Sequence, residues 1–216
     1  MPPFRLVVLI SGSGSNLQSI IDSCASGEFD ARISAVISNK PGVRGLERAN
    51  AANIAGHCIE HQRYPSRDAF DNALIDQIDS YSPDLVVLAG FMRILTPGFV
   101  NHYRGRLLNI HPSLLPKYPG LDTHQRAIDA GDSEAGATVH FVTEELDGGP
   151  PIVHARVPVN QGDDAQRLAA RVLQQEHKIY PLAVRWMVER RLELVDNKAV
   201  LDGQPLDARG YDATND

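Results

Sequence analysis

The sequence predicts an α/β fold built on a mostly parallel, twisted sheet with helices on both faces and an antiparallel C-terminal part. Three observations carry this. Two continuous apolar runs, Leu6-Val7-Val8-Leu9-Ile10 and Leu85-Val86-Val87-Leu88-Ala89, read as strands covered on both faces. Segments with helical spacing alternate with strands through the first half. The second half sets two strand-like stretches, residues 137–142 and 151–157, ahead of one long helical stretch.

Each element follows from local chemistry. After the first run comes a glycine-rich turn, then Leu17, Ile20 and Ile21 at helical spacing, with Gly27 marking the exit. Residues 33–37 read as the second strand and the alanine-rich residues 45–53 as a helix. A third short strand is expected at residues 57–60. Ser66 opens a helix whose face carries Phe70, Leu74, Ile75 and Ile78; Pro83-Asp84 ends it. Residues 97–103 form a short helix and residues 106–110 a strand. A proline-rich loop, residues 111–119, precedes a helix near residues 123–130. Asp163 starts the long helical stretch, which runs to about Arg190 and is expected to bend near Pro181, because proline lacks the amide donor. A hairpin turning at Asp196-Asn197-Lys198 closes the fold, and the polar residues beyond Gly203 are expected to be loose. No internal repeat or linker breaks the chain. One Rossmann-like domain over residues 1–216 is the economical reading, with a first half of about 1–105, a second of about 106–203 and a polar tail at 204–216.

Composition narrows the function. A formal net charge of −6 argues against nucleic acid or an anionic membrane as partner. Cys24 and Cys58 stand far apart with no C-x-x-C pair, so neither a zinc nor a dithiol site is expected. They read as reduced thiols of a cytoplasmic protein. No stretch approaches the ~20 apolar residues of a membrane span.

The turn Ser11-Gly12-Ser13-Gly14-Ser15-Asn16 lies between a strand and a helix, where free amides and the helix dipole favour an anion. No Gly-Lys-Ser/Thr follows it. Leu17 occupies the place of the third glycine of a dinucleotide fingerprint, and the second strand ends in Ser38-Asn39-Lys40 without an acidic residue. A single phosphate monoester fits best.

Leu108-Asn109-Ile110-His111-Pro112 is the most informative stretch. Asn109 and His111 share one side of a strand end, the edge where open parallel sheets bind ligands. A histidine transfers protons near neutral pH and a carboxamide donates to a developing oxyanion, a pairing suited to acyl transfer to an amine. The loop Glu144-Glu145-Leu146-Asp147-Gly148-Gly149 offers three carboxylates to orient that histidine; the residues alone do not select one. His57 and His61 lack a third ligand and read as surface residues. His102, His124 and His154 carry no readable context, and His140 reads as a packed residue of a strand.

Gly14-Ser15-Asn16, the run Val87-Leu88-Ala89-Gly90-Phe91-Met92-Arg93-Ile94-Leu95, the segment from Asn109 to Pro116, and Val139-His140-Phe141-Val142 followed by Leu146-Asp147-Gly148-Gly149-Pro150 together resemble the glycinamide ribonucleotide formyltransferase family, over residues 6–210. The Asn…His…Asp set is that of the wider formyltransferase-like superfamily. The Ser-Gly-x-Gly-Ser-Asn-Leu turn and Gln175-Glu176-His177 are the marks of the purine branch.

The resemblance implies a folate-dependent transferase of purine biosynthesis. It would move a formyl group from 10-formyltetrahydrofolate to the amine of glycinamide ribonucleotide, by direct attack and without metal. It implies that His111 is the general acid/base, that Asn109 stabilises the formyl oxygen and that Asp147 raises the histidine's pKa. Gly14, Ser15 and Asn16 would hold the phosphate, and Leu173, Gln174, Gln175 and Glu176 the ribose side. The folate would lie against Arg67, the backbone of Met92, Arg93, Ile94 and Leu95, Asn109, and the loop of Thr143, Glu144, Glu145, Leu146 and Asp147. The implied partners are two small molecules, with no nucleic acid and no membrane; the chain would be a monomer or homodimer.

The rivals are formyltetrahydrofolate hydrolase, methionyl-tRNA formyltransferase and a phosphate-ligand binding module without turnover. The first strand starts by Leu6, which leaves no room for the hydrolase's N-terminal domain. Only about 25 residues follow the long helix, too few for the RNA enzyme's C-terminal barrel.

Overall fold

In the computed structural model, which describes residues 3–215, the chain divides into two compact units, with the division between Leu108 and Asn109.

The first unit contains β1 (Phe4–Ile10), α1 (Ser15–Ser26), β2 (Ala31–Ser38), α2 (Arg44–Ala51), β3 (Ala55–Cys58), α3 (Arg67–Asp79), β4 (Leu85–Leu88) and α4 (Pro97–His102). Its strands are all parallel in the order β4-β1-β2-β3. Residues of β1 from Leu6 onward and Leu85, Val86 and Val87 of β4 are fully buried, as continuous apolar runs require. The helices begin and end on recognisable signals. Ser66 accepts from the Ala69 N–H ahead of α3, and Thr96 accepts from the Phe99 N–H ahead of α4, with Pro97 at its first position. Gly27 closes α1 in the left-handed region at φ 75°, where a glycine meets no steric penalty.

β5 (Leu107–His111) runs into the second unit, which continues with α5 (Thr123–Asp129), β6 (Glu134–Phe141), β7 (Pro151–Pro158), α6 (Ala165–Val188), β8 (Leu192–Val195), β9 (Lys198–Leu201), β10 (Gln204–Pro205) and β11 (Tyr211–Asp212). β6 and β7 are antiparallel, with a register shift between Val139 and His140, and β11 lies parallel to β7. α6 packs against β6 and β7, and Leu168, Val172, Ile179 and Tyr180 are among the residues it buries. Asp164 caps it by accepting from the Arg167 N–H at 2.8 Å, and Pro181 sits inside the one continuous helix. The strands β8, β9 and β10 make a separate small antiparallel sheet. Its hairpin turns through Asp196 and Asn197, both at positive φ, as the right-handed strand twist demands. The expected α/β class, mostly parallel with an antiparallel C-terminal part, is the one observed.

The tail departs from expectation. The described residues beyond Gly203 are not loose: they include β10 and β11, and Asp216 lies outside the described residues. Ala213 N–H donates to the His154 carbonyl at 2.9 Å, His154 Nδ1–H donates to the Arg209 carbonyl at 3.0 Å, and Arg156 pairs with Asp212 at 2.6 Å. Tyr211 sets its ring edge-on to Trp186 at 5.5 Å. Gly210 allows the approach, because a Cβ there would lie 2.7 Å from the Ile152 backbone. Two-residue strands carry no periodicity, so the polar composition hid them. Among the described residues no helix is long and apolar enough to cross a membrane.

Candidate active site

In the second unit β5 delivers Asn109 and His111 to its C-terminal end, and β6 delivers His140 beside them. The His111 ring donates from Nε2 to the Tyr118 carbonyl at 2.8 Å, and its Nδ1 lies 3.5 Å from Asp147 Oδ2. That same carboxylate oxygen accepts from the Gly120 N–H at 2.8 Å. Asp147 Oδ1 faces His140 Nε2 at 3.8 Å, too far for a hydrogen bond. The carboxamide Nδ2 of Asn109 reaches His140 Nε2 at 3.1 Å, and His140 Nδ1 meets the Phe141 carbonyl at 2.9 Å. The side chains of His111 and Asp147 are each 8% exposed and that of His140 is 2% exposed, so their charges act on one another with little screening by water.

The loop that carries Asp147 is built by its neighbours. Asp147 sits at φ 51°, a left-handed conformation that aspartate adopts more readily than most residues. A Cβ on Gly149 would stand 1.8 Å from the Phe141 carbonyl oxygen, so only glycine brings the loop back against the end of β6. Of the three loop carboxylates, Glu144 and Glu145 stand exposed and only Asp147 turns inward to His111.

Burial pushes the His140 imidazole down to about 4. Its bond to Phe141 and the nearby Asp147 carboxylate work against that shift, and His111 works with it. The half-buried His124 is lowered too, first by burial and then by His111. Sequence reasoning gave neither histidine a role. The signal available for His140 was a histidine inside a strand, β6, that is buried from Ala135 to Phe141.

The first unit holds the glycine turn. Gly14 takes the position before α1 at φ 68° and supplies no side-chain cap to the helix. No acidic residue occupies the first turn. The turn is pinned by backbone contacts: Gly45 N–H donates to the Gly12 carbonyl at 3.0 Å and Arg48 Nε to the Ser13 carbonyl at 2.8 Å. A Cβ on Gly14 would lie 2.7 Å from the Gly45 Cα, so two glycines permit this contact. Ser15 is half-buried and Asn16 buried.

Ser11, which begins the turn, also holds the segment of the predicted folate backbone. Its hydroxyl accepts from the Met92 N–H at 2.7 Å and donates to Asn39 Oδ1. Met92 and Ile94 are exposed, Leu95 is half-buried, and Arg93 buries its Nε without a hydrogen-bond partner. Arg67 is exposed at the first position of α3. In the second unit Thr143 is half-buried and Leu146 exposed. On α6 Glu176 is buried, one turn from both Val172 and Tyr180, while Leu173 and Gln175 are half-buried and Gln174 exposed. His57 and His61 go to separate partners, Tyr81 and Asn39. Among the described residues no cluster of His, Cys, Asp and Glu could hold a metal ion.

Comparison with known proteins points the same way. A family model described as formyl transferase matches residues 4–184. The chain is 58% identical over 209 residues to the phosphoribosylglycinamide formyltransferase of Escherichia coli (strain K12), covering 97% of this chain and 99% of that protein. It is 46% identical over 193 residues to the trifunctional purine biosynthetic protein adenosine-3 of Bos taurus, covering 89% of this chain and 19% of that protein. The solved phosphoribosylglycinamide formyltransferase of Coxiella burnetii superposes with a TM-score of 0.94 at 49% identity, covering 97% of this chain and 99% of that one. The matched stretch takes in both the glycine turn and the cluster around His111, and the chain therefore belongs to the formyl transferase family, among its phosphoribosylglycinamide formyltransferases.

Proposed function

We propose that the chain transfers the formyl group of 10-formyltetrahydrofolate to the amine of N1-(5-phospho-D-ribosyl)glycinamide, as a cytoplasmic enzyme acting on two small molecules without metal. The observation that carries this reading is the convergence of Asn109, His111 and Asp147 around the buried ring of His140, which meets Asn109 at 3.1 Å and faces Asp147 at 3.8 Å, while Asp147 lies 3.5 Å from His111. Such a set suits a reaction whose transition state develops an oxyanion and moves a proton.

The neutral amine attacks the formyl carbon, and the carbonyl electron pair moves to oxygen. An N–H of Asn109 and the protonated ring of His111 stabilise that oxyanion. For Nε2–H to reach it, the Tyr118 carbonyl gives up its bond, so one acceptor replaces another. Asp147, facing Nδ1, complements the positive ring. A proton then leaves the attacking nitrogen and arrives at N10 of the folate, relayed by His111 or by a water held by Asp147. The C–N10 bond breaks and the carbonyl re-forms.

No covalent enzyme intermediate enters. Burial raises the Cys24 thiol to about 11, and the exposed Cys58 is also raised, chiefly by desolvation, so neither supplies a thiolate at neutral pH. The N-terminal end of α1 at Gly14, Ser15 and Asn16, with its glycine turn and helix dipole, suits the substrate phosphate. Glu176 with Leu173, Gln174 and Gln175 takes the ribose side. Arg67, the stretch from Met92 to Leu95, and the loop from Thr143 to Asp147 take the folate; the unpartnered Nε of Arg93 is a donor awaiting an acceptor there.

The test is release of deformylated folate, followed by absorbance. Release that requires the phosphoribosyl glycinamide supports the proposal. Release in water alone, or only with charged initiator tRNA, replaces it with the hydrolase or the tRNA enzyme. No release under any condition leaves a binding module.

A further inference from the structure

A carboxamide has two ends of nearly equal shape. Turning it by half a revolution exchanges an acceptor oxygen for two N–H donors without moving a neighbour. For Asn109 this matters: an N–H stabilises a developing oxyanion, and an oxygen in the same place repels it. A site that uses Asn109 as a donor therefore needs something that tells the two ends apart.

His140 has the geometry to do so. Its Nδ1 lies 2.9 Å from the Phe141 carbonyl, and a carbonyl only accepts, so Nδ1 carries the ring proton. A neutral imidazole has one such proton, which leaves a lone pair on Nε2. The atom of Asn109 that Nε2 meets, at 3.1 Å, is Nδ2. Turned over, the carboxamide would set its oxygen against that lone pair. We infer that His140 is a positioning residue, whose Nε2 lone pair holds the Asn109 carboxamide in the orientation that leaves its second N–H for the transferred formyl oxygen.

The groups facing the ring agree with this tautomer. Asp147 Oδ1, at 3.8 Å, carries a charge that favours a second proton on His140. Burial of the ring opposes that proton, and so does His111 when charged. Two histidines therefore face a single carboxylate, and His140 is the one that burial keeps neutral. The inference rests on the proposed function, because it presupposes that Asn109 acts as an oxyanion donor.

A double-mutant cycle tests it. His140→Leu removes the acceptor and is expected to lower kcat by about tenfold, a fraction of the ~10²–10³ of a missing donor, with both KM values within about twofold. His140→Gln offers Oε1 about where Nε2 stood and should recover most of that loss. In an Asn109→Ala background His140→Leu should cost nothing more, because its effect runs only through the carboxamide. In the unaltered protein, ¹⁵N spectra of the histidine rings should show His140 protonated at Nδ1 and bare at Nε2, a readout that needs no variant to fold.

Three results would each overturn the inference: losses that multiply in the double variant, a glutamine variant as impaired as the leucine one, or a ring protonated at Nε2. A loss in kcat below twofold for His140→Leu would also do so. If Asn109→Ala alone turns over normally, it is the assignment of Asn109 that fails instead.

Discussion

Acidification should destabilise the second unit through one buried ring. In the unfolded chain His140 titrates near 6.5, and in the folded protein burial holds it at about 4. Between those values the unfolded state binds a proton that the native state refuses, so stability rises with pH across the window. The contribution is complete above about 6.5 and is lost progressively as the pH falls toward 4. The gap between these two values corresponds to at most about 3 kcal/mol. The physical event is the arrival of a proton on Nε2, which then opposes the Asn109 N–H it had accepted from at 3.1 Å. The assay is urea denaturation at pH steps from 7.5 to 4.5. It is followed by the fluorescence of Trp186, the single tryptophan, which is buried in the same unit. The His140→Gln variant, run in parallel, cancels every other titrating group. The difference between the two proteins should shrink by most of that amount as the pH drops to 4.5. A difference that stays constant from pH 7.5 to 4.5 would refute the reasoning.

Three further outcomes follow from the geometry. Asp147→Asn keeps an acceptor for the Gly120 N–H and tolerates the left-handed backbone at φ 51°, so the fold should survive while kcat falls about 10²-fold or more; steady-state kinetics and a thermal melt check both halves. Gly149→Ala drives a methyl to 1.8 Å from the Phe141 carbonyl, and overpacking of about 1–3 kcal/mol should lower Tm by roughly 3–10 °C in scanning calorimetry. Ser11→Ala leaves the Met92 N–H without its 2.7 Å acceptor, a loss of about 1–3 kcal/mol; it should raise the KM for 10-formyltetrahydrofolate more than it lowers kcat.

Much of the frame was legible because burial on both faces writes itself as unbroken apolar runs, as in Leu6 to Ile10 and Leu85 to Leu88. Helix caps such as Ser66 and Pro97 were legible for a similar reason: they satisfy local needs with local residues. The strand period alone set Asn109 and His111 on one side. What stayed hidden depended on residues far apart in the chain. Choosing Asp147 over Glu144 and Glu145 takes the return of the loop onto β6, which Gly149 alone does not announce. His140 looks like any packed strand residue until β5 brings Asn109 against it. The polar tail reads as loose because its order comes from His154, Arg156 and Trp186, none of them near it in sequence.

That tail has a consequence for how the protein is made. β7 exposes one side of its ladder until β11 arrives, and about fifty residues separate the two strands. At about 5–20 residues per second, a nascent chain carries this open side for roughly 3–10 seconds. During that interval its unpaired amides and carbonyls can recruit a strand from a neighbouring polypeptide. Arg156, whose N–H is later taken by Thr214 and whose guanidinium is later taken by Asp212, meanwhile has Glu134 of β6 as its ion-pair partner at 3.7 Å. Trimming the last few residues would make this temporary vulnerability permanent.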